Sequence, residues 1–202
     1  MEIKPDNLAW KDAYKLLVGS ILPRPIAFVS SRDEEGRDNL APFSFFTAIS
    51  ADPMMVCFSP MIRGSDGEKK DTLVNIEATK QFVINIVSES IVLQMNECAG
   101  EFPSDVDEFE QSGLTKESAC AVSACRVKES MVHLECELDQ ILSYGDHAGS
   151  GSLVIGRVVH VHVNDELYEN GRISTEKLNP VGRLAGASYT LPVKNTFDLQ
   201  RN

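Results

Sequence analysis

The chain has 202 residues, 43% of them hydrophobic and 24% charged, which is enough apolar material for a substantial core and excludes wholesale disorder. Its length suits one domain covering residues 1–202. With 19 basic against 30 acidic residues, a net charge of −11, and Lys69–Lys70 as the only adjacent basic pair, nothing concentrates positive charge against a polyanion, so nucleic acid is excluded as a partner.

In chain order, a short helix is predicted around Asp6–Leu17. "RPIAFVSSR" (24–32) is a β-rich run stopped by "DEEGRD", a hairpin turn. "NLAPFSFFTAIS" (39–50) resumes with aromatic and β-branched residues, and Pro42 marks an edge or a bulge there. "PMMVCFSP" (53–60) reads as a third strand. The segment "KKDTLVNIEAT" is helical to about Thr79, and "QFVINIVS" (81–88) alternates as a half-buried strand does. A short acidic helix in "SDVDEFEQSG" closes at Gly113. "MVHLECELDQILSY" (131–144) and "SLVIGRVVHVHV" (152–163) form an antiparallel pair across the loop "GDHAGSG", and the tail is loop-rich. Six or so strands with few helices indicate an antiparallel barrel, without the βαβ alternation of a Rossmann sheet.

Several chemistries lack their motifs. No GxGxxG follows a strand, "RGSDGEKKDT" lacks P-loop spacing, and neither a Gly-x-Ser-x-Gly elbow nor HExxH occurs. The opening "MEIKPDNLAWKD" has no apolar signal region, and nothing approaches the ~18 uninterrupted apolar residues of a membrane span, so a cytoplasmic protein without membrane contact is expected. The five cysteines (Cys57, Cys98, Cys120, Cys125, Cys136) make no CxxC pair and mostly sit among apolar residues, as free thiols of a reducing compartment do. His160 and His162 stand two apart on one strand and so face the same side, a pair that supplies two metal ligands or two half-exposed imidazoles. No metal is expected from so short a motif.

Two constellations carry more. In "KKDTLVNIEATKQF" a helix starts near Asp71 or Thr72, either of which is a natural N-cap. Its first turn presents unpaired amides to which a phosphate, the Thr72 hydroxyl and the ammonium of Lys69 or Lys70 would converge; an ordinary capped helix with solvated lysines is the alternative. Asp71 fits as a cap, or as a partner that orients Lys70. In "NLAPFSFFTAIS", Asn39, Ser44 and Thr47 interleave with three phenylalanines, offering polar groups beside flat apolar surface, as a planar polar ring system requires; a core-filling strand is the alternative.

The order and spacing of "PRPIAFVSS", "NLAPFSFFTAIS", "DPMMVCFS" and "KKDTLVNI" resembles the flavin reductase-like family of FMN-binding split β-barrel proteins. The likeness continues through "VHLEC", "VIGRVVHVHV" and "PVGRLAGASY", covering most of residues 14–200. It implies a mainly β, Greek-key split barrel with FMN in a groove at a homodimer interface. Lys70 and Thr72 then become phosphate ligands, with Asp71 at the helix start. Asn39, Ala41, Pro42, Phe43, Ser44 and Thr47 line the isoalloxazine and ribityl chain, with Cys57, Phe58 and Ser59 in the same neighbourhood. Arg24 and Pro25 become ring-side contacts, with a stiff, polyproline-like strand entry as the alternative, and Arg183, Gly186 and Tyr189 reach the flavin, with the partner subunit as one source. The tail reads Ala185–Gly186 where the family's pattern has a Gly-Gly pair. The implied activity is an NAD(P)H-dependent flavin reductase that passes hydride through FMN to free flavin or another small acceptor. The alternatives are an FMN electron carrier reduced by a protein partner and a flavin-binding module without reductase activity. No side chain is singled out as catalytic.

Overall fold

The computed structural model describes residues 1–200. Helix α1 (Trp10–Ser20) is preceded by a separate 3-10 turn at Pro5–Asn7, so the predicted N-terminal helix starts later than expected. Strands β1 (Ala27–Arg32), β2 (Asp38–Phe43), β3 (Phe46–Ala51) and β4 (Met54–Phe58) follow. Helix α2 (Asp71–Thr79), β5 (Gln81–Ile86), α3 (Val92–Glu97), α4 (Glu108–Ser112), the two-residue strands β6 (Lys116–Glu117) and β7 (Arg126–Val127), and the long strands β8 (Val132–Ser143) and β9 (Ser152–Val163) complete the main body. The turn after β1 forms because Asp33 Oδ1 accepts the amides of Glu35 at 2.9 Å and Arg37 at 2.8 Å while Gly36 takes φ +88°. Among the described residues no helix is long and apolar enough to cross a membrane.

Seven strands form one antiparallel sheet in the order β2-β1-β5-β8-β9-β4-β3. The run 39–50, expected as one strand, is two: β2 and β3 are consecutive in the chain yet occupy opposite edges, joined only by Ser44–Phe45. The sheet therefore curls until its ends approach. Phe43 of β2 meets Phe58 of β4 with ring centroids 5.1 Å apart, so side chains bridge a seam that has no strand ladder.

Two cores follow from the two faces of a curled sheet. Inside, Ala27, Val29, Phe58, Phe82 and Ile84 pack with Leu73 and Ile76 of α2. Outside, the alternate residues Phe28 and Leu40 pack against Met95 of α3, Phe109 of α4 and Val181 of the tail. Each fully buried phenylalanine contributes about 1.5–3 kcal/mol. Strand β5 was expected to be half-buried, but it lies between β1 and β8 with both faces covered. That placement is stable because its one buried amide is satisfied: Asn85 donates to the Phe28 carbonyl at 2.9 Å and the Ser30 hydroxyl at 3.1 Å, and accepts from the Val127 amide at 2.9 Å.

Candidate functional site

The Ser44–Phe45 seam opens onto a cleft. One part, ≈ 270 Å³, is lined by Tyr14, Pro42, Ser44, Ser59, Arg63 and Lys70, and a smaller part of ≈ 50 Å³ continues over Asp71 and Thr72 to Glu101. A third part of ≈ 230 Å³ runs from Pro42 and Ser44 to Asn96, Arg183 and Tyr189. Pro42 borders all three, and it lies on β2, an edge strand with an unbroken register against β1, so of the edge or bulge expected at Pro42 it is the edge that forms.

At one end stands the start of α2. Lys70, not Asp71 or Thr72, is the N-cap residue, and no side chain caps the helix. Asp71 instead faces the Arg63 guanidinium at 3.6 Å, while Lys70 faces Glu101 at 3.7 Å, so Asp71 does not orient Lys70. The physical reason is reach: in the first helical turn the Asp71 side chain is drawn to a full charge rather than to its own backbone. The Lys70 carbonyl accepts the amides of Leu73 and Val74, at 2.9 and 3.2 Å. The earlier amides, of Asp71 and Thr72, lie ahead of any intrahelical acceptor. Lys69 pairs with Glu77 at 2.7 Å, outside the cleft lining.

Behind this end lies a buried polar chain. Thr72, 1% exposed, donates its hydroxyl to Asn39 Oδ1 at 2.7 Å, and Asn39 Nδ2 donates to Glu108 Oε1 at 2.7 Å. The second Glu108 oxygen accepts the Leu40 amide at 3.0 Å. Burial pushes the Glu108 carboxyl above the usual carboxylate range, with the Leu40 bond working against it. Asn39 and Thr72 are thus locked to each other, linking the edge strand β2 to the helix start.

The remaining predicted residues separate. Ala41, Pro42, Phe43, Ser44 and Ser59 border the cleft, as do Arg183 and Tyr189 from the same chain. The tail is held there because Arg24 and Arg183 exchange backbone hydrogen bonds of 3.0 and 2.8 Å. The Arg183 guanidinium lies 4.4 Å from the Tyr189 ring and bonds the Gly186 carbonyl, and Tyr189 reaches Asn96 at 2.9 Å. Arg24 is 4% exposed, and its guanidinium serves the carbonyls of Val18, Ile21 and Leu184 and the Ser44 hydroxyl. It braces Ser44 of the cleft wall and does not itself border the cleft. Phe58 is fully buried in the barrel core, Cys57 is buried beside Thr47 across the β3–β4 pair, and Thr47 and Pro25 are exposed away from the lining. Tyr14, Arg63 and Glu101 line the cleft unannounced, because helix α1 and two loops bring them there.

A curled antiparallel sheet, open at one seam, with a cleft running from that seam to a helix start, is the architecture of the FMN-binding split-barrel proteins. The flavin reductase like domain model matches residues 18–177, and the chain belongs to the flavin reductase-like family. An uncharacterized protein of Halalkalibacterium halodurans is 39% identical over 203 residues, covering 100% of this chain and 96% of its own. Among solved structures, nitrilotriacetate monooxygenase component B from Bacillus cereus is 40% identical with TM-score 0.92, over 98% of both chains. The 2-nitrobenzoate 2-nitroreductase of Pseudomonas fluorescens is 29% identical with TM-score 0.89, over 100% of this chain and 96% of that one.

Proposed function

We propose that this protein binds FMN in the cleft at the β2–β3 seam, phosphate towards the start of α2, and works as a flavin-dependent oxidoreductase that takes hydride from NADH or NADPH. Free flavin or another small molecule is the electron acceptor. The observation that carries this reading is the order of chemistries along one cleft. Free helix amides with Lys70 and Arg63 stand at one end, Pro42 and Phe43 in the middle, and the stacked Arg183–Tyr189 pair at the other. An anionic tail joined to a flat ring system fits that order.

Lys70, Arg63 and the amides of Asp71 and Thr72 would hold the phosphate. The Thr72 hydroxyl would join them by exchanging its bond to Asn39, which Glu108 keeps in place. Bound FMN supplies the two-electron redox chemistry, while the protein orients the ring and shields it from water. No side chain is assigned as acid or base. Two neighbours whose names are redox names, a monooxygenase component and a nitroreductase, support the oxidoreductase reading. Exposed Leu16 and Leu17 on α1, Ile21 just past its end, and Ile49 and Met54 on β3 and β4 support a homodimer.

The test is the absorbance spectrum of the purified protein before and after anaerobic NADH and NADPH. A yellow protein bleached by either nucleotide is expected. A colourless protein that takes up no FMN refutes the site. A yellow protein bleached by neither refutes the reductase and leaves a carrier reduced by a protein partner.

A further inference from the structure

A second cluster of reactive side chains lies outside the cleft. Strands β8 and β9 pair in the register His133↔His162 and Glu135↔His160. Residues opposite one another in an antiparallel ladder project from the same face, so three imidazoles and a carboxylate share it. The loop between β6 and β7 crosses to this face and brings Cys120, the one exposed cysteine of the five. Ligand atoms of Cys120, His160 and His162 all lie within 4.8 Å of one another, and the two imidazole centroids are 4.5 Å apart.

Glu135 organises the cluster. It is fully buried, and its two oxygens accept the amides of Cys120 at 2.8 Å and Ala121 at 2.6 Å, so it anchors the loop that carries the thiol. The same carboxylate bonds His162 Nε2. With Nε2–H given to Glu135, the lone pair of the neutral His162 ring sits on Nδ1, the carboxylate–histidine arrangement that orients a metal ligand. His133 stands edge-on to His162 at 5.9 Å with its own Nε2 on the Val127 carbonyl at 2.8 Å, and so backs the ring.

We propose that Cys120, His160 and His162 bind one divalent transition cation of the zinc type, with Glu135 as a positioning residue and a fourth coordination place open to water. A thiolate with two neutral imidazoles selects zinc or cobalt over magnesium or calcium. Tetrahedral binding at ~2.0 Å to nitrogen and ~2.3 Å to sulfur puts ligand atoms roughly 3.3–3.5 Å apart. Rotation of the exposed Cys120 and His160 side chains closes the remaining gap. Binding converts the Cys120 thiol to thiolate and releases its proton to solvent. None of the three ligands lines the flavin cleft, so the site is independent of the function proposed above.

The experiment titrates Co²⁺ into untagged full-length protein, stripped of metal by a chelator and kept reduced, with difference spectra taken at constant flavin content. Saturation at one cobalt per chain is expected, with intense tetrahedral ligand-field bands, a thiolate-to-cobalt charge-transfer band, and displacement by Zn²⁺. Cys120→Ser should erase the charge-transfer band, and both Cys120→Ser and His160→Gln should weaken binding by about tenfold or more. Both positions are exposed, so circular dichroism of the variants should match the parent. An absence of saturation at one per chain, or binding and bands that survive both substitutions, overturns the site.

Discussion

Lys70→Ala tests where the flavin phosphate sits. Lys70 is the N-cap residue of α2 and borders both parts of the cleft that meet there. A charge-assisted hydrogen bond to phosphate contributes about 1.5–3 kcal/mol. Against it stands the existing pair with Glu101 at 3.7 Å, with 29% and 46% of the side chains exposed, which the phosphate displaces. An exposed pair of that kind is worth about 0–1 kcal/mol. The net loss is about 1–2 kcal/mol, or about 5–30-fold in Kd. Arg63 remains as a second cation, so binding weakens without vanishing. The assay is a fluorescence titration of deflavinated parent and variant with FMN and, separately, with riboflavin, which lacks the phosphate. FMN should weaken by the stated factor and riboflavin by less than about twofold. Equal losses for both ligands would make Lys70 a shaper of the cleft wall. No loss for either would remove the phosphate from the α2 start.

Gly156→Ala places a Cβ against the Phe82 ring and 3.3 Å from Cys136 Cβ in the barrel interior. Urea denaturation should show a loss of about 1–3 kcal/mol, and Phe82→Leu in the same chain should recover part of it; strictly additive losses would refute the clash. Asp38 is buried, which alone would raise its carboxyl, but Arg32 at 2.8 Å and Lys116 at 3.1 Å outweigh burial and hold it below the usual carboxylate range. A folded-state value below the unfolded one gives stability that is present above the unfolded value and lost as pH falls through the folded value. Asp38→Asn should therefore cost about 1–3 kcal/mol at neutral pH and converge with the parent in acid, whereas a gap constant with pH would refute the pairing. Ile49→Lys, at a position 49% exposed on β3, should turn the proposed dimer into a monomer by light scattering, and an unaffected dimer would move the interface elsewhere.

The strands easiest to read were those whose pattern and flanking turns agree. "RPIAFVSS" ends at an Asp33-anchored turn, and the β8–β9 pair forms across its glycine-bearing loop. "NLAPFSFFTAIS" hid its break because the single Ser44 between Phe43 and Phe45 reads as ordinary strand alternation. Which edge each half joins is decided by curling of the whole sheet. At α2 the helix was readable but its cap was not, since Asp71 answers to Arg63, eight residues back across a loop. "PRPIA" pointed to Arg24 but not to its partners: its guanidinium bonds the Val18 and Ile21 carbonyls, six and three residues back, together with the Leu184 carbonyl far along the chain in the tail. The His160–His162 pair was visible, whereas its third member, Cys120, arrives on an irregular loop held by a buried carboxylate.

An open sheet has to manage two edges, and here they are managed differently. On β2 the Leu40 amide points outward and is taken by Glu108. Two residues on, facing the same way, Pro42 has no amide proton to offer. That edge cannot recruit another strand, and the group that seals it is the carboxylate that also fixes Asn39 against Thr72. On β3 the register shifts between Ala48 and Ser50, so a bulge at Ile49 interrupts any continuous new ladder while leaving its side chain outward. A second copy of this chain at that edge must therefore dock by side-chain packing and not by extending the sheet. For that reason Ile49→Lys tests this edge directly: a dimer packed through its side chains would not tolerate the lysine, and a dimer that does tolerate it has its interface elsewhere.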